Sequence, residues 1–508
     1  MYLKRKKILQ STMLVTLVII LSKALGFGRD MVTTAYFGRT AANDAYVSAY
    51  SLFYLPVLLF NSCISATLIP LYTEERERYS LEHSNHFASN AINLFALASL
   101  VVSALMLALA QPLVNLVYNG FDAETAQLTA QLTRIMVLAL VFNVTSISVS
   151  SLLNAMEKYI AAQLTGFPLS ICVIAAAVFF SGRYGVTALA WGVFAANVLQ
   201  LVILVPFLFG WFHYYPVMDF RDKRFHRLMV LALPALLSMG VSELNHMIDN
   251  MLASGLPEGT LTSLTSSYRL VTFLQGVLIV PLTTIMFSKM SRHVAENDLR
   301  GALRMTRKSL LLLALVVLPV VAIGAILSED VIKFAYMRGA FTLEDVWATA
   351  GVLACYVIGV PAYGLRDYLS RMFHAVKDTK SPFYVSCAVV VLNVALNLIL
   401  REWMGANGLA LATSISSYIG VAIMFVQLRK RFGRFGTRRT MRELGKILLS
   451  AAVCALVCAG MNAWLPEATG TLRVTLRLIA CTLVAGTAYL ACGLALRVRM
   501  LRRLFGLS

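Results

Sequence analysis

The chain has 508 residues, of which 59% are hydrophobic and 14% are charged, and its formal net charge is +19. Soluble globular domains carry roughly 25% charged residues, so this composition excludes a protein folded wholly in water. The basic excess does not indicate a nucleic-acid partner, because the positions of the basic residues follow the alternation of apolar segments along the chain.

Apolar runs of about 20 residues recur from end to end, and a helix of that length crosses the hydrocarbon core of a bilayer. We therefore predict an all-α polytopic membrane protein. The basic start, Met1–Lys7, resembles a secretion signal but is followed by no small-residue cleavage site, so the first apolar run is predicted to stay as a helix. The fourteen predicted transmembrane helices cover residues 9–36, 42–72, 88–111, 125–154, 160–181, 184–211, 228–254, 260–288, 309–328, 346–370, 381–400, 407–428, 447–465 and 474–496.

Lysine and arginine are distributed unevenly between the segments that join these spans. Thirty-two of the 44 Lys and Arg residues fall in alternate segments that include both termini, six fall in the opposite segments and six lie within spans. Because positive charge is retained on the cytoplasmic side, both termini are predicted to be cytoplasmic, in a cytoplasmic (inner) membrane. The basic segments are expected to contact anionic lipid.

The chain resembles itself at an offset of 220 residues: Asn119–Glu124 matches Gly339–Glu344, and Gly185–Ala190 matches Gly405–Ala410. This offset places odd-numbered helices on odd-numbered helices, so the two copies share one orientation, as in alternating-access transporters with two lobes around a central cavity. The predicted regions are an N-terminal six-helix lobe (1–211), a basic cytoplasmic linker (212–227), a C-terminal six-helix lobe (228–428), a second basic cytoplasmic linker (429–446) and helices 13 and 14 (447–508).

Ionisable side chains within predicted spans are the main candidates for function, because their burial in hydrocarbon is costly unless they face water or a partner. The first helix carries Lys23, Arg29 and Asp30, and we predict Asp44, at the outer start of the second helix, as the ionic partner in the same half. The other polar candidates within spans are Arg134, Glu243, Asn245, His246, Asp249, Asn250, Arg269, Arg366 and Asp367.

A cavity lined by Lys23, Arg29 and Arg269 would attract a polyanion such as a diphosphate, because guanidinium groups make paired hydrogen bonds to phosphate oxygens. Arg366 is a further candidate, and the acids would balance the charge of the empty cavity. The competing interpretation is structural: Arg–Asp pairs can hold helices together, Arg134 can serve only as a pair partner, and Lys23 can extend to the cytoplasmic edge.

The sequence contains no motif for catalysis. It has no phosphate-binding Gly-x-x-x-x-Gly-Lys-Ser/Thr run, no complete dinucleotide fingerprint and no His-Glu-x-x-His. We therefore predict that the protein is not an enzyme. The energy for transport would then come from the ligand gradient, an ion or the membrane potential.

These residues resemble the MurJ (MviN) family of lipid II flippases, in the multidrug/oligosaccharidyl-lipid/polysaccharide exporter superfamily. The resemblance covers nearly the whole chain, including helices 13 and 14. It rests on the segments Ser22–Asp30, Phe37–Gly38, Asn43–Ala45, Ala253–Gly259, Tyr268–Leu270, Arg338–Phe341 and Asp378–Pro382.

The resemblance implies alternating-access transport of an undecaprenyl-diphosphate-linked muropeptide from the inner to the outer leaflet for peptidoglycan synthesis, with membrane lipids and cell-wall synthesis proteins as partners. It places the basic cavity residues on Lys23, Arg29 and Arg269 and the first-lobe acid on Asp44, and it makes helices 13 and 14 a groove for the lipid tail. Some members bind sodium in the second lobe. The corresponding positions here are Asp249, Asn393, Asn397 and Thr413.

Two positions depart from the family pattern. Leu55–Phe60 stands where many members have an arginine pair midway along helix two, and Asn397 stands where an acid occurs in one sodium-site pattern. A less cationic cavity also fits an exporter of another polyprenyl-diphosphate-linked saccharide. A drug/cation antiporter of the same superfamily would lack the cationic cavity and the fourteenth helix, and a membrane glycosyltransferase would need a large extramembrane loop.

Overall fold

The structure is a computed structural model. It describes the backbone of residues 2–296, 298–433, 437–466 and 470–504 and, within these ranges, the side chains other than those of 2–13, 233–235, 237–242, 244, 432, 437–439 and 503–504. The basic residues Lys4–Lys7, Arg434, Arg438, Arg439 and Arg503, which entered the topology prediction, therefore lie outside the described side chains.

The regular secondary structure of the described ranges is helical throughout. The first eight helices are α1 (Tyr2–Phe37), α2 (Ala41–Arg78), α3 (Leu81–Val117), α4 (Ala123–Val137), α5 (Leu140–Ala155), α6 (Tyr159–Gln163), α7 (Gly166–Tyr184) and α8 (Thr187–Leu204). The others are α9 (Lys223–Ser254), α10 (Thr260–Leu274), α11 (Val280–Ala295), α12 (Leu299–Ile326), α13 (Ser328–Tyr336), α14 (Leu343–Ala375), α15 (Lys380–Met404), α16 (Ala406–Phe432), α17 (Thr437–Trp464), α18 (Thr471–Ala495) and α19 (Arg499–Leu504).

Among the described residues, eleven helices are long and apolar enough to cross a membrane, or twelve if α4 and α5, which meet at a bend of 44°, form one span. The two remaining predicted spans, 9–36 and 228–254, fall on α1 and α9, whose side chains are described only in part. The prediction of an all-helical, multi-pass membrane protein is confirmed for the described part of the chain. The count of fourteen stays a prediction.

The chain divides into two compact units, Met1–Thr262 and Ser263–Ser508. In the first unit α2 is the central helix and packs against α3, α4, α5 and α9. In the second unit α14 packs against α12 and α16, and the pair α17 and α18 lies against α12. The division comes after α9 and not at the predicted linker 212–227, because α9 packs with the first unit. The six-helix lobes stay a prediction.

Unusual backbone conformations recur at the offset found in the sequence. Glu157 and Lys377 both adopt left-handed conformations, with φ of 60° and 61°. Gly185 and Gly405, which lie in the matched segments, have φ of 56° and 55°. Positive φ is uncommon for residues with a side chain, so its recurrence at the same offset confirms the internal repeat.

A buried tyrosine precedes each matched loop, although the two tyrosines are 218 residues apart and not 220. Tyr118 donates a hydrogen bond to a backbone carbonyl of α2 at 3.2 Å and stacks on Phe121, with ring centroids 5.3 Å apart. Tyr336 donates to a backbone carbonyl of α10 at 3.2 Å and packs against Phe341, with centroids 6.1 Å apart. The two matched phenylalanines therefore have the same packing role in their units.

The chain between α8 and α9 lies along one face of α3. Asn90 exchanges two hydrogen bonds with the backbone of Asp219, at 2.7 and 3.0 Å, and Asn93 donates to the carbonyl of Val217 at 2.8 Å. Asn85 and Ser89 bind the same segment through the backbone of Trp211 and Tyr215. These four buried side chains recur at helical spacing, so α3 holds the linker as an extended segment.

The start of α9 is tied to the end of α2. Asp222 caps α9 by accepting from the backbone N–H of Arg224. Arg224 contacts Glu75 at 3.6 Å, and Arg227 contacts Glu74 at 3.2 Å. Burial acts to raise the pKa of Asp222, but its hydrogen bonds from Arg224 outweigh this and hold the pKa below its usual value. The cap therefore stays ionised at neutral pH.

An ion pair within the second unit attaches α18. Arg477 lies 3.2 Å from Asp330 of α13, with the two side chains 10% and 3% exposed, and it donates to the side chain of Asn462 on α17 at 2.6 Å. Tyr489 of α18 donates to the carbonyl of Leu315 on α12 at 2.8 Å. Removing one partner of a buried ion pair leaves an uncompensated charge, so α17 and α18 are firmly held in this unit.

Replacing Asn90 by alanine is expected to loosen the linker, because the backbone of Asp219 loses both hydrogen-bond partners. A buried group left without its partner costs about 1–3 kcal/mol. We expect a lower unfolding temperature and faster proteolysis between residues 212 and 222 in the purified full-length chain. The exposed Asn115 on the same helix gives the matched control Asn115→Ala, and equal cleavage of the two variants would contradict this account.

Candidate functional site

Arg29 and Asp30 form an ion pair within α1. Nε and Nη2 of Arg29 donate to Oδ1 of Asp30 at 3.1 and 3.0 Å, with the side chains 15% and 10% exposed. The prediction that Asp44 is the partner in the same half is wrong, because Arg29 reaches a carboxylate on its own helix. The Nη1 atom of Arg29 takes no part in this pair and can donate a hydrogen bond to another acceptor. Lys23 is exposed on the same helix.

Tyrosines of α2 surround Arg29. Tyr46 and Tyr50 lie within electrostatic range of its guanidinium. Tyr54, one turn farther on, stacks on Tyr50 with ring centroids 5.7 Å apart and lies within electrostatic range of both Arg29 and Glu243 of α9. The structure therefore brings charged residues of α1 and α9 to the same tyrosine-lined part of the first unit.

Asp44 binds the start of α10. Its carboxylate accepts from the backbone N–H of Gly259 at 2.7 Å, the backbone N–H of Thr262 at 2.8 Å and the hydroxyl of Thr262 at 2.6 Å. Asp44 is only 4% exposed. A carboxylate at a helix N-terminus satisfies donors that have no partner within the helix, so Asp44 acts as a cap supplied from another part of the chain.

Arg39 holds the other side of this turn. Its Nε donates to the carbonyl of Gly259 at 3.1 Å. Gly259 has φ of +78°, and a Cβ there would lie 2.6 Å from the backbone oxygen of Arg39, so only glycine fits. We call the contact of Asp44 and Arg39 with Gly259 and Thr262 the α2–α10 clasp.

In the second unit, Arg269 of α10 and Arg366 of α14 are both half-buried. Tyr268 packs edge-on against Tyr356 at 5.7 Å and lies within electrostatic range of Arg366. Arg366 is thus close to the Tyr268–Arg269 segment. Asp367, which the sequence analysis grouped with Arg366, pairs instead with Arg371 at 3.0 Å, one turn farther along α14.

Three of the four residues that match the sodium-site pattern form a hydrogen-bonded chain. Asn397 donates to Oδ1 of Asn393 at 3.0 Å, and Asn393 donates to the hydroxyl of Thr413 at 3.3 Å. Asp249 lies in the first unit and accepts from Asn245 at 3.4 Å. A sodium ion needs oxygens that face a common point. Here the Asn393 and Thr413 oxygens accept hydrogen bonds from neighbouring amides. The sodium site stays a prediction.

The first unit encloses a cavity of about 310 Å³ between α2, α5, α7 and α8, which we call the amide cavity. Sequence reasoning missed it, although the signal was present: Asn143, Ser146, Ser150 and Asn154 recur at helical spacing along the otherwise apolar α5.

Two further cavities lie outside this neighbourhood. One, of about 500 Å³, is lined by side-chain amides of α3 and α4 and by the exposed Arg134, which the sequence analysis considered as a pair partner. The other, of about 310 Å³ in the second unit, is lined mainly by apolar side chains of α12, α14, α16 and α17, together with Arg307 and Arg429. Of the three described cavities, only this one in the second unit has a mainly apolar interior.

Comparison with known proteins gives a consistent result. The family model described as lipid II flippase MurJ matches residues 33–480. A probable lipid II flippase MurJ of Rhizobium tropici is 28% identical over 446 residues, which are 85% of this chain and 83% of the relative. A probable lipid II flippase MurJ of Thermotoga maritima is 29% identical over 452 residues, 88% of this chain and 90% of the relative.

Comparison with solved structures leads to the same family. A lipid II flippase MurJ in an inward closed conformation superimposes with a TM-score of 0.79 and 26% identity, covering 94% of this chain and 98% of the other. An inward-facing multidrug resistance transporter of the MATE family superimposes with a TM-score of 0.71 and 14% identity, covering 82% and 97%. The second likeness, at this identity, extends to the fold alone.

Replacing Asp44 by alanine is expected to open the α2–α10 clasp, because three donors lose their acceptor. Hydrogen bonds to a charged group contribute about 1.5–3 kcal/mol each. We expect a cysteine placed at the exposed Glu258 to react faster with a membrane-impermeant maleimide in the Asp44→Ala background.

Glu124→Ala, which removes an exposed carboxylate near the start of α4, is the control and should leave the rate unchanged. Unchanged labelling in the Asp44→Ala background would show that the clasp does not limit access to this turn.

Proposed function

Because this chain belongs to the MurJ family of lipid II flippases, we propose that Arg29 and the other basic residues within its helices carry the diphosphate of the lipid across the membrane. The protein is a multi-pass membrane transporter and not an enzyme, it flips lipid II, and its substrate is a lipid-linked glycan. The observation that carries the proposal is the guanidinium of Arg29, held beside Asp30 among the tyrosines of α2.

We propose fourteen transmembrane helices in a cytoplasmic (inner) membrane, with both termini cytoplasmic. Three observations support this: the eleven or twelve apolar spans of the described residues, the two further long helices α1 and α9, and the uneven distribution of Lys and Arg. The recurrence of left-handed residues at the sequence offset supports two six-helix lobes of the same orientation.

The diphosphate would bind by exchange of partners. In the absence of substrate, Asp30 compensates Arg29, as the short Nε and Nη2 contacts indicate. A diphosphate offers more acceptor oxygens and more negative charge than one carboxylate, so it competes for the same guanidinium. We propose Lys23, Arg269 and Arg366 as further ligands of the anion and Asp30 as the acid that balances the charge of Arg29 in its absence.

The α2–α10 clasp is assigned as the closed outer gate. It joins the outer start of α2, as the topology prediction places it, to the turn before α10 through one buried carboxylate. Opening the outer side requires Asp44 to release Gly259 and Thr262, and water can then hydrate the carboxylate. Alternation between a closed and a hydrated Asp44 gives the two states that an alternating-access cycle needs.

The lipid tail remains in an apolar environment during transport. Helices α17 and α18, which lie outside the repeat, correspond to the predicted tail groove, and the apolar cavity lined by α12 and α17 adjoins them. The buried pair Arg477–Asp330 keeps these helices against the second unit. Cell-wall synthesis proteins, as consumers of the flipped lipid, are proposed as partners.

We propose the membrane potential as the driving force. Moving one charge through 100 mV is worth about 2.3 kcal/mol, and a cytoplasm-negative potential favours outward movement of an anionic head group. The sodium alternative needs the oxygens of Asp249, Asn393, Asn397 and Thr413, and the hydrogen bonds among the last three speak against it.

Arg29→Ala is expected to abolish growth of cells that depend on this protein and to weaken binding of undecaprenyl diphosphate by at least tenfold, since a charge-assisted hydrogen bond is worth about 1.5–3 kcal/mol. Arg29→Lys should retain part of the affinity, because it keeps the charge and loses the paired geometry. Arg183→Ala removes an exposed arginine of α7 and serves as the control. Wild-type growth and binding of Arg29→Ala would refute the assignment.

In liposomes that contain the purified chain, an imposed cytoplasm-negative potential is expected to accelerate outward lipid II movement equally with and without sodium. The measurement is the accessibility of fluorescent lipid II to a membrane-impermeant quencher, with a potassium–valinomycin gradient to set the potential. Asn393→Ala should not change the response. Transport that requires sodium, and loses that requirement in Asn393→Ala, would instead establish a sodium site.

A further inference from the structure

The amide cavity of the first unit is polar and carries no charge among the described residues that line it. Its polar lining comes from amides and hydroxyls of α2, α5 and α8, among them Asn61, Asn143, Asn154, Asn197 and Gln200. An amide offers both donors and acceptors, and a hydroxyl can act as either. Such a surface suits a neutral ligand that itself has many donors and acceptors.

Hydrogen-bonding capacity in the cavity is not exhausted by the protein. The half-buried amide of Asn154 has no described side-chain partner. Asn143 donates to Asn197 at 2.6 Å, and its buried Oδ1 has almost no surface that a ligand can contact. Leaving a buried polar atom unpaired costs about 1–3 kcal/mol, so a ligand or water that supplies the missing partner is stabilised there.

The size of the cavity bears on whether a ligand or a single water supplies that partner. One water needs about 10–15 Å³ of such volume, whereas pockets for small organic ligands start at about 300 Å³. The volume of about 310 Å³ is therefore large enough for a small organic ligand and exceeds what a single water needs. Ser146, Ser151 and Asn197 form a buried floor, and the exposed Tyr54 and Asn61 form an open rim.

The rim connects the cavity to the cation of α1. Tyr50 and Tyr54 both line the cavity, and both lie within electrostatic range of Arg29. Their rings are stacked at an interplanar angle of 13°, which gives a flat apolar face beside the amides. Aromatic faces pack against the C–H groups of a sugar ring, and amides bind its hydroxyl groups.

We propose that the amide cavity binds the N-acetylated sugar that is attached to the diphosphate of the substrate. This inference rests on the proposed role of Arg29: with the diphosphate at Arg29, the first sugar is the neutral group next to it and can enter over Tyr50 and Tyr54. The acetamido group complements the amide of Asn154, which has no described side-chain partner. The peptide of lipid II carries ionised groups, which would find no counter-charge in this lining, so it stays outside.

The test measures binding to the purified full-length chain in lipid nanodiscs with three ligands. These are undecaprenyl diphosphate, undecaprenyl diphosphate carrying one N-acetylated sugar, and lipid II. Asn143→Leu and Asn154→Leu are expected to weaken the two sugar-bearing ligands about tenfold, the equivalent of about 1.4 kcal/mol, and to leave undecaprenyl diphosphate within about twofold. Gln127→Leu, at an exposed amide of α4 outside the cavity, is the matched control.

The Arg29→Ala variant separates this inference from the function on which it rests. If Arg29→Ala weakens all three ligands while both asparagine variants bind them normally, the sugar assignment is overturned and the diphosphate assignment stands. If the asparagine variants act on sugar-bearing ligands alone and Arg29→Ala has no effect, the diphosphate assignment fails.

Asn143 also bonds Asn197, so its replacement can disturb packing. Asn154→Leu, which breaks no described side-chain hydrogen bond, then decides the outcome, and its unfolding temperature is compared with that of Gln127→Leu. Equal weakening of all three ligands by Asn154→Leu would reveal a general structural effect and would overturn the proposal.

Discussion

A charge can stay within the hydrocarbon region only where another group compensates it, and this chain meets that constraint in three ways. Arg29 is compensated by the next residue on its own helix. Asp44 is compensated by backbone donors of a distant turn, which ties two parts of the chain together through a contact that water can replace. Arg477, within a predicted span, and Asp330 of α13 compensate each other between helices, and both side chains are buried. The three partners therefore lie on the same helix, in the backbone of a distant turn and on another helix, respectively.

The sequence was sufficient for the class of protein, because a composition with 14% charged residues permits few alternatives, and for the internal repeat, which recurs in the backbone at Glu157 and Lys377. Arg29 could be found from the sequence alone, because a charged residue stands out within an apolar segment. The partners of Asp44 could not be found from the sequence, because they include backbone N–H groups of a turn 215 residues away, and every residue other than proline has such a group. The amide cavity could be predicted only in part. Asn143 and Asn154 were visible, but small polar residues are common in packed membrane helices, and only the three-dimensional arrangement shows that they surround a space.

The substrate contacts proposed near Arg29 are of two chemically distinct kinds. A guanidinium selects charge and the geometry of phosphate oxygens, whereas uncharged amides select the pattern of hydroxyl and amide groups. Leu55–Phe60 is apolar at the place where the resemblance to the family implies an arginine pair, and we therefore expect charge to contribute less to recognition in this chain. Neutral contacts then become more important for discrimination between lipid-linked glycans. Because such contacts are weak individually, they also allow release on the far side of the membrane.

The helix α9 belongs by sequence to the second copy of the repeat but is fastened to the first unit near both ends. Its beginning is held by Arg224 and Arg227 on α2, and the turn that follows it is held by Asp44. The end of α9 is also tied to the loop before α4, because Ser254 accepts from the backbone N–H of Gly120 at 3.3 Å. Release of Asp44 alone therefore leaves the helix attached near both ends. Its 32 residues extend over roughly 48 Å at 1.5 Å per residue. A tilt of about 10° about the start of the helix would carry its far end roughly 8 Å sideways, so such a movement requires release of the Ser254 contact as well as the Asp44 contact.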